Sequence, residues 1–540
     1  MNKTGKLELT WVGKNEEKRI EPRILVEDKS KSNIQHDVET ENMLIHGDNL
    51  IALKALEQDY AGKIKCIYID PPYNTGNAFE HYDDGVEHSI WLTLMKQRLE
   101  LLKGLLSNDG AIVIQIDDNE QAYLKVLCDE IFGRVNHVNT IVVKMSDASG
   151  PKMAHIDKKF PKLKEYLLIY KKEKISINVQ TEEKTKWDSE YKNFLDLSKE
   201  DIEKMLNLTN KNEIDEVNEK LPSSLISLND AFKKYKVGQS EKDKFNFSRE
   251  NAWRIARTSN ASTIRRVIQN ETDLNQNIAI AIVNDVTMFV KADFDRGSKE
   301  PRVQYVFASD TMNVPLGDLW LHINTSFNSE GGVTLKNGQK PESLIKTIIA
   351  AFSNPGDFVL DSFLGSGTTA AVAHKMNRKW IGIELGEQAY THSKVRLDNV
   401  IEGEQTGISK DVDWTGGGGY RFYELAPSLL EKHPILPIYQ INNDYNFEML
   451  CEAICKLEGF KYEPIGEMHG KSSETRYIHI SKDYISGEYI QNIVKELDEN
   501  HSVLIYGTKI QSDLKLPENI EVKRIPKDLL KKYDFESEVR

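Results

Sequence analysis

Short apolar runs alternate with amphipathic stretches in two separate parts of this chain. Met43 to His46, Lys63 to Ile69, Ala111 to Ile116 and Tyr166 to Tyr170 are compact runs of Ile, Val, Leu and Tyr that read as buried strands. Between the first two, Asn49 to Leu56 opens an amphipathic helix on Leu50, Leu53 and Leu56. Ser89 to Leu106 repeats the pattern on Trp91, Leu92, Met95, Leu99, Leu102 and Leu106, and Asn108-Asp109-Gly110 reads as its stop. Strand, helix, strand in this rhythm predicts a parallel α/β sheet. The rhythm lapses after about residue 171 and returns at Ser343. From there a helix spans Leu344 to Phe352, and a strand Asp357 to Asp361. A glycine-rich turn, Ser362-Phe363-Leu364-Gly365-Ser366-Gly367, then leads into a helix from Thr368 to Met376 and a strand from Trp380 to Glu384.

The pattern divides the chain. Residues 1–40 are polar and lack apolar periodicity, as an extended arm would. Residues 41–170 and 317–425 carry the α/β rhythm, 171–316 interrupt it, and 426–540 follow as a small separate α/β unit. Glu182 to Lys220 is mixed-charge and reads as helical, with Ser198 and Asp201 spaced as a capping pair. The run Gly416 to Gly419 reads as a flexible turn. Gly470-Lys471-Ser472 hints at a phosphate loop, but the preceding glycine, Gly466, is one residue short of the spacing such a loop needs.

A length of 540 residues predicts two or three domains, and 39% hydrophobic against 29% charged residues is globular and polar. No apolar run reaches the roughly 18 residues that span a bilayer. The opening Met1-Asn2-Lys3-Thr4-Gly5-Lys6 has no apolar core, so no export signal is expected. Cys66, Cys128, Cys451 and Cys455 form no disulfide framework, and with no His or Cys pair near them Cys451 and Cys455 read as core thiols, not metal ligands. A reducing, cytoplasmic setting follows.

The formal net charge of −13 weighs mildly against nucleic acid as a partner, but its distribution matters more. Lys233, Lys234, Lys236, Arg249, Arg254, Arg257, Arg265 and Arg266 form a basic island interleaved with Phe232, Tyr235, Phe245, Phe247 and Trp253. Such a stretch suits a surface that tracks phosphates and contacts bases; the bland alternative is a solvated face over core aromatics.

Two stretches carry candidate chemistry. Asp70-Pro71-Pro72-Tyr73 ends the strand at Ile69, because neither proline can donate to a ladder and both fix φ. It sets an acid, two rigid carbonyls and an aromatic ring at a strand's C-terminal end, where open α/β sheets bind ligands. The second is the glycine turn: Gly365 and Gly367 let the backbone approach a ligand, and the helix from Thr368 aims free N–H groups at it. Glu384 follows about twenty residues on, where such folds bind ribose. No third glycine follows, so the turn departs from the dinucleotide fingerprint, and Phe363 suggests a smaller ligand packed on an aromatic.

Together these stretches resemble the AdoMet-dependent amino-methyltransferases of DNA. The catalytic stretch precedes the cofactor stretch, as in the β group. Asn74-Thr75-Gly76, Gln115-Ile116-Asp117-Asp118-Asn119-Glu120, Gln339-Lys340-Pro341 and Trp414-Thr415-Gly416-Gly417-Gly418 narrow the likeness to modification subunits of type III restriction–modification systems. The resemblance covers roughly residues 40–170 and 317–425. It implies a Rossmann-like methyltransferase sheet in circularly permuted order, an inserted target-recognition domain at 171–316 and a small C-terminal domain. It further implies methyl transfer from S-adenosyl-L-methionine to adenine N6 of a base flipped from duplex DNA, a homodimer, a separate helicase–nuclease partner, and no metal. Asp70 and the Pro71 carbonyl would receive the amine hydrogens, Pro72 hold the geometry and Tyr73 stack on the base, with Phe160 or Tyr166 as a second aromatic wall. Asp48 would lie near the cofactor's adenine and Glu384 on its ribose, and Asn49 would also touch the cofactor. Lys340, Asp70, Asp361, Phe363, Gly365, Gly367 and Thr368 would meet the rest of it. His46 reads as structural. The alternatives are a stand-alone regulatory methyltransferase, a non-catalytic specificity subunit, or an enzyme of RNA.

Overall fold

The computed structural model describes residues 8–16, 20–74, 87–148, 157–158, 160–270, 274–323, 329–335, 338–495 and 500–533. Residues 1–7 and the expected loop residues Thr75, Gly76 and Asn77 lie outside this set. Two compact units emerge, one built from Met1–Asn178 with Gly317–Arg540, the other from Val179–Leu316.

The first unit is organised by a ten-stranded mixed sheet. Its elements in chain order are β1 (Leu25–Glu27), β2 (Met43–His46), α1 (Asn49–Tyr60), β3 (Ile64–Ile69), α2 (His88–Leu105), β4 (Leu106–Ile116), α3 (Gln121–Cys128), β5 (His137–Lys144) and β6 (Lys164–Lys171). Across the interruption follow β7 (Leu319–Trp320), α4 (Glu342–Phe352), β8 (Phe358–Asp361), α5 (Thr368–Lys375), β9 (Lys379–Glu384), α6 (Val395–Ile401) and β10 (Arg421–Leu425). In space the order is β1-β10-β2-β9-β8-β3-β4-β6-β5-β7. The central run from β10 to β4 is parallel, and β1, β6 and β5 introduce the antiparallel pairs. Parallel strands covered on both faces must be apolar throughout, and this is why β3 and β4 read as continuous Ile-Val runs. The apolar stripe of α2 (Trp91, Leu92, Met95, Leu99 and Leu102) packs with Ile67, Ile69, Ile112 and Ile114 in one core that extends to Phe363.

Several expectations change here. Residues 20–40 are fastened to the sheet and do not hang as an arm: β1 pairs with β10, and the buried Glu21 carboxylate accepts the Leu429 N–H at 2.8 Å. Asn108-Asp109-Gly110 does not separate helix from strand, because β4 begins at Leu106 and absorbs the three residues as an irregularity against β3. Glu182 to Ser198 contains two short strands in place of helix, whereas the cap is as expected, Ser198 Oγ accepting the Asp201 N–H at 3.1 Å. The Gly416–Gly419 run is packed, not loose: a Cβ at Gly418 would fall 2.5 Å from His374 Nε2, and φ is positive from Gly416 to Gly418.

Residues 426–540 add a five-stranded sheet whose core, with Ile454, Cys455, Leu504 and Tyr506, includes Ile24 and Leu429. Gly470-Lys471-Ser472 lies in a strand, with Lys471 paired to Glu463 at 3.3 Å, and makes no phosphate loop. The Val179–Leu316 unit holds an all-antiparallel six-stranded sheet flanked by short helices. Among the described residues no helix is long and apolar enough to cross a membrane.

Candidate active site

β3 and β8 are neighbours and run parallel, Leu360 lying opposite Ile67. Their C-terminal ends therefore bring Asp70-Pro71-Pro72-Tyr73 beside the Ser362–Gly367 turn, although 288 residues lie between the two in sequence. The first stretch is held rigidly. Its prolines end the strand, and the indole N–H of Trp91 on α2 donates to the Pro72 carbonyl at 2.9 Å.

A buried charge cluster fills the junction. Lys340 Nζ lies 2.8 Å from Asp70 Oδ2, 3.1 Å from the Tyr73 hydroxyl and 3.6 Å from Glu165 Oε2. The Tyr73 hydroxyl is within 2.7 Å of Asp70 Oδ1 and 2.8 Å of Glu165 Oε2. Gln115 Nε2 donates to Glu165 Oε2 at 2.5 Å, and the Tyr68 hydroxyl donates to Gln115 Oε1 at 2.6 Å. Side-chain exposures of 16, 11 and 17% for Asp70, Lys340 and Glu165 make this a low-dielectric site in which each charge depends on the others.

The cluster sets protonation unevenly. Burial, with the neighbouring Glu165 charge, pushes the Asp70 carboxyl above the usual carboxylate range despite Lys340. Burial raises Glu165 too, but Lys340 and the hydrogen bonds from Gln115 and Tyr73 outweigh it and hold that carboxyl low. Lys340 is held above the usual lysine range: burial opposes its charge, and Asp70 and Glu165 overcome that.

Lys340 also joins the two halves of the site, its carbonyl accepting from Thr368 Oγ1 at 3.3 Å. In the turn, Gly365 and Gly367 take positive φ of 57° and 81°, and a Cβ at Gly367 would meet Ser393 Cα at 3.0 Å. Glu384 closes the turn from the next strand, accepting the Gly365 N–H at 2.7 Å and the Gly386 N–H at 3.0 Å. Phe363 is 8% exposed and belongs to the extended core against which Tyr73 also packs.

Some expected ligand contacts serve the turn itself. Asn49 is fully buried; its amide donates to the Ser362 carbonyl at 2.7 Å and its oxygen accepts from Arg98 Nε at 2.5 Å. Asp48 caps α1 through the Leu50 and Ile51 N–H groups and lies 3.3 Å from Arg98 Nη2. Asp361 receives the Phe363 N–H at 2.9 Å and the Thr369 hydroxyl at 2.6 Å, and burial pushes its carboxyl up to about 7. A raised folded-state value means stability that is full below the unfolded value near 4 and is lost as pH rises through 7. The loss is about 4 kcal/mol from this group, at 1.36 kcal/mol per unit. Asp361→Asn keeps both contacts, its oxygen accepting from Phe363 and its amide donating to Thr369. It is expected to flatten the decline in urea-unfolding stability between about pH 4 and 7.

Of the proposed aromatic walls, Phe160 is 97% exposed, and the Tyr166 hydroxyl donates to Asp118 at 2.9 Å. His46 is structural, with Nδ1 2.7 Å from both Glu424 Oε2 and the Tyr390 hydroxyl.

Periodicity alone did not single out Glu165, Arg98 or the pair Glu342 and Arg396. One signal was present for Glu165: it shares a strand face with the buried Leu167 and Ile169, so an acid is forced toward the interior. Glu342 and Arg396 are 0% exposed and pair at 2.7 Å beneath the turn. There Arg396 Nη1 donates to Thr368 Oγ1 at 2.8 Å, and Glu342 also holds the buried Lys375 at 2.8 Å.

In the Val179–Leu316 unit the interleaved aromatics largely point inward. Phe247 stacks on Phe194 at 6.0 Å and meets Phe232 and Tyr235 at 5.7 and 5.6 Å. Arg254 lies among the Phe194, Trp253 and Tyr235 rings, 4.5 to 5.2 Å from their centroids. Lys233 pairs with Asp230, Lys234 with Asp196, Arg249 with Glu183 and Arg257 with Glu190, while Arg265 donates to the Lys299 carbonyl. Lys236 and Arg266 are exposed.

The DNA methylase family matches residues 64–395. The probable type III restriction-modification enzyme HindVI Mod subunit of Haemophilus influenzae is 38% identical over 455 residues, 78% of this chain and 58% of that protein. The EcoP15I Mod subunit of Escherichia coli is 35% identical over 200 residues, 31% of this chain and 30% of its own length. The type II methyltransferase M.EcaI of Enterobacter cloacae is 28% identical over 64% of this chain and 66% of its own. The chain thus spans little more than half the length of the first of these relatives. With both motif stretches inside a match that covers most of the sheet, this chain belongs to the DNA methylase family.

Proposed function

We propose that this chain transfers a methyl group from S-adenosyl-L-methionine to adenine N6 in duplex DNA, as the modification subunit of a type III restriction–modification system. The observation that carries the reading is the meeting of Asp70-Pro71-Pro72-Tyr73 with the glycine turn through Lys340. The donor set suits that cofactor. Asp70 and Lys340 offer opposite charges to an amino-acid end, and Glu384 sets a carboxylate at the end of the strand beside the turn, where such folds bind a ribose diol. Ser362 Oγ, buried and without a hydrogen-bond partner among the described residues, adds a polar atom at the turn. When bound, the cofactor supplies an electrophilic methyl group.

The chain's own residues prepare the amine. The lone pair of adenine N6 is delocalised into the ring, so the nitrogen attacks poorly until its hydrogens are held out of the ring plane. Asp70 and the Pro71 carbonyl accept those two hydrogens, and Asp70 takes the proton N6 sheds as it gains the methyl. Orientation and fixed charge do this work without a covalent intermediate. A buried site requires the base to leave the duplex first. The Val179–Leu316 unit, with Lys236 and Arg266 exposed, is the proposed DNA-reading part. Cleavage belongs to a separate helicase–nuclease subunit, and the modification subunit works as a homodimer.

The test is transfer of radiolabel from the cofactor to duplex DNA. Asp70→Ala loses transfer; undiminished transfer in that variant would overturn the mechanism. Single-molecule sequencing of DNA from expressing cells checks target base and motif together.

A further inference from the structure

We propose that Glu165 is a positioning residue for methyl transfer, holding the Lys340 ammonium and the Tyr73 hydroxyl in place while Asp70 turns its carboxylate to the adenine amine. This rests on the reading above that Asp70 engages that amine.

The geometry is that of a second counter-ion. The Tyr73 hydroxyl carries one proton and stands 2.7 Å from Asp70 Oδ1 and 2.8 Å from Glu165 Oε2, so it donates to one at a time. Lys340 faces the same two carboxylates, at 2.8 and 3.6 Å. One ammonium and one hydroxyl proton are thus shared by two acids. When Asp70 accepts an N–H from the base, Tyr73 turns its proton to Glu165, and Lys340 keeps a full counter-charge there. With no acid at position 165, the ammonium would rest on Asp70 alone and compete with the amine for it.

Glu165 is itself fixed from behind. Gln115 donates to it at 2.5 Å, and Tyr68 sets the Gln115 amide at 2.6 Å, a chain running across the adjacent strands β3, β4 and β6. The opposite drifts of the two acids fit the division of labour. Burial leaves Asp70 easily protonated, while Lys340, Gln115 and Tyr73 keep Glu165 ionised. The other charged or titratable groups in this field are Tyr68, Asp361 and, toward Glu165, Lys162.

The test compares the full chain with Glu165→Gln, Glu165→Asp and Asp70→Ala. Its readouts are kcat, KM for cofactor and duplex DNA, the pH profile of kcat/KM, and thermal melting. Glu165→Gln is expected to lower kcat about 10- to 100-fold near neutral pH, since the amine must now compete with Lys340. It also removes a negative neighbour from Asp70, which then stays ionised to lower pH, so the acid limb moves down by about one unit. Glu165→Asp returns the limb toward that of the unsubstituted chain. An unchanged rate and limb in Glu165→Gln overturns the proposal. So does a rate lowered equally at every pH with an unmoved limb and a reduced melting temperature, which would make Glu165 merely structural. Full activity in Asp70→Ala overturns instead the reading on which the proposal stands.

Discussion

Lys340→Met is expected to lower kcat for methyl transfer by about 10²- to 10³-fold, the scale of removing a preorganised charge from a dry active site. The methionine fills much of the same volume, so the loss reports charge. Without the ammonium, Asp70 and Glu165 face each other across the Tyr73 hydroxyl. Two carboxylates so close in a buried site do not both stay ionised. Asp70 already lies above the ordinary carboxylate range and takes the proton, and a protonated Asp70 no longer draws the hydrogens of the amine. The sign in pH follows. Activity in Lys340→Met recovers in part as pH rises, whereas loss through a damaged fold would not. Single-turnover transfer across pH 6 to 9 makes the measurement, and a variant within threefold of the unsubstituted chain would sink the argument.

The second large effect lies beneath the turn. Glu342→Ala removes the carboxylate that accepts from both Arg396 at 2.7 Å and Lys375 at 2.8 Å, and that also receives the Ile408 N–H at 3.0 Å. All three side chains are fully buried, and Glu404 remains as a partner for Lys375 alone. Stripping one partner from a buried ionic network leaves uncompensated charge and costs about 3–5 kcal/mol. A loss of that size lowers the melting temperature by on the order of 10 °C. Function follows through geometry, because Arg396 holds Thr368 and Thr368 holds the Lys340 carbonyl. Cofactor affinity is therefore expected to fall even at temperatures where the variant is folded. Melting and isothermal titration with cofactor check the two halves. Glu342→Gln separates charge from shape: it restores hydrogen bonds but not the counter-charge, and it melts between the other two.

What sequence alone determined follows from physics acting over a few residues. Continuous apolar runs could only be buried strands, the stripe on α2 only a covering helix, and the two prolines after Asp70 only a strand's end. Glycines at 365 and 367 were needed because an L side chain disfavours their positive φ, and at Gly367 a Cβ would also crowd Ser393. What the tertiary structure decided depends on partners far apart in the chain. Asn49 and Asp361 also brace the turn, through the Ser362 carbonyl and the Thr369 hydroxyl, a role that only the assembled sheet reveals. Phe232 and Phe247 were as consistent with stacking on bases as with packing inward, and only the assembled unit packs Phe247 on Phe194 and Phe232 on Phe247. Glu165 carried no local signature beyond its strand face, because a buried carboxylate acquires its role from the cation it meets. Here that cation, Lys340, arrives from 175 residues away. Periodicity is local and survives in one dimension, whereas charge compensation is a property of neighbours in space.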